Sequence, residues 1–233
     1  MERYEMDVIA RIRCPFASKF GIPRQSGLVN DLRARIVFEP PYRNPDALRG
    51  LDGFSHLWLI WAFDRSARPG WSPTVRPPRL GGNRRMGVFA TRSPFRPNPI
   101  GLSSVLLERV EYDSPDGSVL HVRGADLADG TPVLDIKPYL PYTDAHPDAV
   151  GGFADTPPDA TLHVDIPASL LARVPDVHRG ALAGILAQDP RPRYQDDPGR
   201  VYGFGFAGLE IRFRVSGNHL TVTDIVPSES ILP

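Results

Sequence analysis

The stretch GLSSVLLERVEYDSPDGSVLHVR, residues 101–123, decides the fold. The apolar runs GLSSVLLERVEY (101–112) and SVLHVRGADL (118–127) flank DSPDG, where Pro115 presets φ and Gly117 supplies a positive φ. That arrangement predicts a β-hairpin. Outward from it, DVIARIR (7–13) and RARIVF (33–38) alternate as half-buried strands do, and FSHLWLIWAFD (54–64) is apolar on both faces, as a fully buried strand would be. RMGVFATRS (85–93) reads as a further strand, and PVLDIKPYL (132–140) as the last one before a Pro-rich turn. Six or seven short strands with no helical pattern between them predict a mainly β fold, a small closed or nearly closed β-barrel rather than a doubly wound sheet.

After residue 165 the pattern changes. PASLLARVPDVHRGALAGILAQ carries helical spacing interrupted by Pro175, and GLEIRFRVSGNHLTVTDIV predicts a hairpin around SGN with Leu209, Ile211, Phe213 and Val215 on one face. The expected organisation is a barrel domain over 1–165 and a small α+β domain over 166–233. A chain of 233 residues has room for both. Its 21 glycines and 26 prolines favour short elements and shaped loops over long helices.

The formal net charge is +0, so no overall field marks the chain as a nucleic-acid binder. The distribution says more. Between Arg65 and Leu107 lie Arg65, Arg68, Arg76, Arg79, Arg84, Arg85, Arg92 and Arg96, with no Asp, Glu or Lys among them, a patch suited to an anionic ligand. Cys14 is the single cysteine, which excludes an internal disulfide and a cysteine metal cluster, and no metal is expected. The N-terminal residues lack the apolar core of a signal peptide, and LWLIWAF (57–63) is too short to cross a bilayer, so a cytoplasmic protein without a membrane partner is expected. No GxGxxG, P-loop or HExxH is present. GLSSV lacks the form of a nucleophile elbow, so Ser103 and Ser104 read as strand residues, and His56 as a hydrogen-bonded core histidine.

Three rigid polar loops stand out. In GVFATRSPFRPNPIGLS (87–103), Pro94, Pro97 and Pro99 remove three backbone donors and extend Ser93, Arg96 and Asn98, leaving groups for a ligand or another chain. DIKPYLPY (135–142) combines a carboxylate, an ammonium and two phenols in one turn, and QDPRPRY (188–194) holds Asp189, Arg191, Arg193 and Tyr194 between prolines.

These loops carry a resemblance. PRQSGLV (23–29), GLDGFSHLWLI (50–60), WSPTVRPPRLGGNRRMGVFATRSPFRPNPIGLS (71–103), DGTPVLDIKPYLPY (129–142) and LAQDPRPRY (186–194) resemble, in order, the bacterial tRNA N6-adenosine methyltransferase family, which acts on threonylcarbamoyladenosine beside the anticodon. The resemblance implies an S-adenosylmethionine-dependent enzyme on a small β-barrel, with the cofactor near a homodimer interface and the tRNA anticodon loop as partner. It further implies cofactor contacts from Pro23, Arg24, Gln25, Asp64, Arg65, Arg92, Asp135, Ile136, Lys137 and Tyr139.

An exocyclic adenine amine is a poor nucleophile, so positioning must supply most of the rate, with acceptors for its hydrogens as charge builds on nitrogen. Asn98, fixed between two prolines, is the first candidate acceptor, and neighbouring backbone carbonyls come next. Arg92 and Tyr139 complete the expected catalytic set. Arginine forks match both carboxylate and phosphate, so some of Arg84, Arg85, Arg92 and Arg96 are expected to read the modified base or the cofactor carboxylate and others, with Arg76, to hold the anticodon backbone. Asp189, Arg191 and Tyr194 are expected to complete the substrate tRNA site from the C-terminal domain. Phe95, Tyr139 and Tyr142 are candidates to stack on a splayed base, with core filling an equal reading for Phe95. Two alternatives stand beside this reading: a non-catalytic RNA-binding barrel, and a methyltransferase with another substrate.

Overall fold

A computed structural model describes residues 2–66, 70–155, 161–191 and 197–228. The strands among them are β1 (Ala10–Arg13), β2 (Arg33–Phe38), β3 (His56–Ala62), β4 (Thr74–Val75), β5 (Met86–Gly87), β6 (Ile100–Ser114), β7 (Gly117–Arg123), β8 (Pro132–Pro138), β9 (His163–Asp165), β10 (Tyr202–Phe206), β11 (Leu209–Ser216) and β12 (His219–Pro227). Helix α1 spans Pro141–Asp144, α2 Ala168–Leu171 and α3 Asp176–Ala187.

The hairpin forms as expected. Ser114 pairs with Gly117, whose φ of 80° is the conformation only glycine adopts without strain, and the Ser114 hydroxyl donates to the Gly117 carbonyl at 2.6 Å. From it the sheet closes in the order β1-β2-β7-β6-β3-β8, a barrel of six strands. Alternate residues fill the interior: Ile12 opposite Ile36, Ile36 opposite Leu120, Leu57 opposite Val105, all fully buried or nearly so. β8 closes the ring, pairing with β1 on one side and β3 on the other.

Two expectations are corrected. RMGVFATRS contributes only Met86–Gly87 to a two-residue ladder with β4, after which Val88–Ala90 winds into a 3-10 turn. The Val88 carbonyl accepts the Thr91 amide and hydroxyl, and Arg96 reaches the Thr91 carbonyl, so the groups a longer ladder needs are already taken. β3 is not buried on both faces. Leu57, Leu59 and Trp61 point into the barrel, whereas His56, Trp58, Ile60 and Ala62 lie half-buried on its outer wall. With Ile100 and Leu102 of β6 they form an outward apolar stripe.

The second sheet has the order β10-β11-β12-β9 and begins at His163, two residues before the expected boundary. Pro175 separates α2 from α3, and β11 turns into β12 at Gly217 and Asn218, as the sequence predicts. β10, YGFGF, alternates Tyr202, Phe204 and Phe206 inward with glycines outward, too short a pattern to have been singled out. Phe16, Val29 and Leu32, on the loop joining β1 to β2, belong to this second core. α3 therefore lies along that loop, with Gly180 against Asp31 and Gly184 against Val29.

Candidate functional site

One mouth of the barrel collects the loops that leave β1, β3 and β7. The register puts the end of β3 beside the start of β6, Ala62 opposite Ile100, and Pro132 at the start of β8 beside Arg11. The segments 23–25, 64–65, 92 and 98 therefore meet at this end, although they are spread over seventy-six positions of sequence. Pro23 is buried and anchors the first segment, while Arg24 and Gln25 are exposed. The Gln25 Oε1 accepts a short hydrogen bond from Arg92 Nη1. Arg65 ties two of the loops together, donating to the Ala17 carbonyl at 2.7 Å and the Asp129 carbonyl at 2.5 Å, and its amide is capped by Asp64 at 2.9 Å.

The proline-arginine loop folds on itself. Phe63 N–H donates to the Pro99 carbonyl at 2.9 Å, which fixes Asn98 to the end of β3. Asn98 is exposed at the rim. Among the carbonyls around it, those of Pro94, Asn98 and Pro99 already accept the amides of Arg96, Ile100 and Phe63. The Asn98 side-chain oxygen is thus one group at the rim able to accept a hydrogen bond. Arg96 is directed inward: its guanidinium donates to the Thr91 carbonyl at 2.6 Å and sits 5.8 Å from the Phe89 ring centre. Arg76, Arg84 and Arg85 are exposed, Arg85 touching the Thr74 hydroxyl at 3.2 Å.

β8 carries the other expected contacts, Asp135 and Lys137 on the outer wall and Ile136 packed against the barrel core. Asp135 lies opposite Ile60 and Lys137 opposite Trp58, the two charges paired at 2.8 Å, while Ile136 lies opposite Leu59. The Tyr139 amide donates to His56 at the far end of β3, and the Tyr139 ring packs 5.5 Å from Trp58. Asp144 secures that turn by accepting the Leu140 amide at 2.9 Å and Trp58 Nε1 at 2.8 Å, bonds that hold its carboxyl below the usual range. His56 bonds the Ser55 hydroxyl at 2.9 Å. β3 is seven residues long, so Tyr139 stands about 20 Å from the mouth that holds Asp64 and Asn98. One chain thus divides the expected set between two places.

Asp189 adopts a φ of 51° after α3 and accepts bonds from the Arg191 guanidinium at 2.8 and 2.9 Å and from the Arg191 amide at 3.3 Å. Arg68, Arg193 and Tyr194 lie outside the described residues. No group of three or more metal-ligating side chains occurs among the described residues.

Sequence reading passed over two residues at the mouth. Ser103, read as a strand residue, is 1% exposed and donates to Asp126 Oδ1 at 2.5 Å while accepting Trp61 Nε1 at 3.0 Å. Burial pushes the Asp126 carboxyl above its ordinary range, against the Ser103 bond, the amides of Asp126 and Ser26, and the nearby charge of Arg92. GADLADG offered no signal beyond a loop aspartate.

The family model for the tRNA-methyltransferase O N-terminal domain matches residues 11–145, and that for the TrmO C-terminal domain matches residues 161–228. The chain is 42% identical over 235 residues to the tRNA (adenine(37)-N6)-methyltransferase of Escherichia coli K12, covering 97% of this chain and 100% of that protein. It is 54% identical over 162 residues to the protein of the same name from Eikenella corrodens, covering 70% and 91%. The crystal structure of TrmO from Pseudomonas aeruginosa superposes with a TM-score of 0.80 at 34% identity, over 97% of this chain and 99% of that one.

Proposed function

The chain belongs to the tRNA-methyltransferase O family, and from that premise we propose that it is a cytoplasmic, S-adenosylmethionine-dependent enzyme that methylates N6 of adenosine 37 in tRNA, with N6-threonylcarbamoyladenosine as the substrate nucleoside. The observation that carries the reading is the convergence of segments 23–25, 64–65, 92 and 98 on one barrel mouth beside an acid-free run of arginines. The donor set suits the cofactor: guanidinium and amide groups of Arg92 and Gln25 for a carboxylate, Asp64 and Asp135 for an ammonium and hydroxyls. When bound, the cofactor supplies an electrophilic methyl group on a sulfonium.

The chain's own residues then do three things. Asn98 accepts a hydrogen bond from the attacking N6–H, which raises the electron density on nitrogen as the N–C bond forms, and the proton released from nitrogen passes to solvent at the exposed rim. The prolines beside Asn98 keep its geometry fixed before the substrate arrives. The exposed Arg76, Arg84 and Arg85 hold the anticodon backbone, and Asp189 and Arg191 contribute to the substrate site from the second domain.

The same reading includes a homodimer. The separation of Tyr139 and Lys137 from the mouth, together with the outward apolar stripe of Trp58, Ile60 and Leu102, supports a site built from the mouth of one copy and the β8 wall of another. The two separate sheets support a division into a barrel domain and a C-terminal domain.

Two measurements test the function. Calorimetry of the purified chain should show S-adenosylmethionine binding, and its absence would leave the non-catalytic RNA-binding barrel as the better reading. Threonine tRNA bearing the threonylcarbamoyl group should be methylated, as read by nucleoside mass spectrometry, and tRNA lacking it should not. Equal methylation of both would sink the proposed substrate.

A further inference from the structure

Trp61, Ser103 and Asp126 form a hydrogen-bonded chain from the barrel interior to its mouth. The direction of that chain is forced. Indole N–H can only donate, so the Ser103 hydroxyl accepts from Trp61 and must direct its one proton onward, which makes the Asp126 carboxylate the terminal acceptor. The Ser26 amide and the positive charge of Arg92 both lie close enough to favour the charged form of Asp126. Ser26 follows Gln25, and Gln25 is itself bonded to Arg92. A single carboxylate, bonded to the barrel wall through Ser103, thus lies within the electrostatic reach of both Ser26, next to the 23–25 segment, and Arg92 of the proline-arginine loop. Loop closure alone does not call for an ionisable group here, because a half-buried charge costs desolvation that a neutral amide or an apolar side chain avoids.

We propose that Asp126 is a positioning residue of the methyl-donor site, anchored by Ser103 and Trp61 and holding Arg92 and the Ser26 amide so that Arg92 and Gln25 face the cofactor together. The proposal rests on the methyltransferase reading. It differs from a structural role in what it affects: a residue that only closed a loop would change stability and leave the affinity of the folded protein alone.

The test uses the full-length protein and S-adenosylmethionine itself. Asp126→Asn keeps the shape and removes the charge. It should weaken binding in calorimetry by about tenfold, the scale of one hydrogen bond to a charged group, while kcat at saturating cofactor stays near wild type. Combined with Gln25→Ala the losses should be less than additive, because both act on one contact. Wild-type affinity in Asp126→Asn, or strictly additive losses, would overturn the role. Should Asp126→Asn fail to fold, Ser103→Ala decides, since it leaves the carboxylate and removes its anchor. A weakened affinity at unchanged kcat supports the proposal, and an unchanged affinity refutes it. A wild-type chain that binds no cofactor overturns the enzyme reading and this inference with it, whereas a wild type that binds alongside two equally tight variants overturns the inference alone.

Discussion

Asn98 and Gly101 show how one side chain, or the lack of one, sets the mouth of the barrel. Asn98 stands exposed between two prolines, and the carbonyls of Pro94, Asn98 and Pro99 already accept backbone amides, which supports its proposed role as an acceptor for the incoming amine. Asn98→Ala should lower kcat by roughly 10²-fold, the scale of removing one oriented polar group, with little change in cofactor affinity by calorimetry. Turnover at the wild-type rate would remove Asn98 from the chemistry. Gly101 lies directly under the Trp61 indole, and a Cβ there would overlap the ring. Trp61 is 8% exposed and bonded to Ser103, so it has little room to yield. Gly101→Ala should therefore destabilise the fold by about 1–3 kcal/mol, the usual cost of overpacking a core, as read by urea denaturation. A stability equal to wild type would mean that the indole can move freely.

At the scale of elements, the loop between β3 and β6 separates arginines that build from arginines that face solvent. Arg65 and Arg96 donate to backbone carbonyls and shape the loops, whereas Arg76 is exposed. Arg76→Ala should weaken tRNA binding at low salt and flatten the dependence of log K on log salt by about one unit of slope, as loss of a phosphate contact does. An unchanged slope would place Arg76 outside the RNA footprint. Sequence reasoning found the arginine-rich stretch because the absence of acids is visible in order along the chain. It did not separate the two kinds of arginine, because that depends on which carbonyls remain unpaired once the loop has folded. The same dependence turned the expected strand at 85–93 into two paired residues and a 3-10 turn.

For the whole molecule, β3 is the instructive element. Its apolar residues on both faces predict a fully buried strand, and within one chain the outer face is only half covered, with Leu102 of the adjoining β6 53% exposed. A second copy seated on that wall would reconcile the pattern with the structure. Leu102→Glu should then give a monomer by sedimentation, with methyl transfer lost because the β8 wall no longer meets the mouth. A dimer retained in full would exclude this surface as the interface. The hairpin at DSPDG, the barrel strands and the break at Pro175 were legible in the sequence, because they follow from local φ preferences and from the period of side chains along a strand. The short β9 and β10, the packing of Phe16 and Val29 into the second core, and the chain from Trp61 through Ser103 to Asp126 were not. Ser103 and Asp126 lie twenty-three positions apart on separate elements, and only barrel closure brings a hydroxyl and a carboxylate of that separation within a hydrogen bond. Residue order thus determined which elements form and where the chemistry is concentrated. Tertiary structure decided which polar groups find one another, because hydrogen bonds require contact in space and carry no period along the chain.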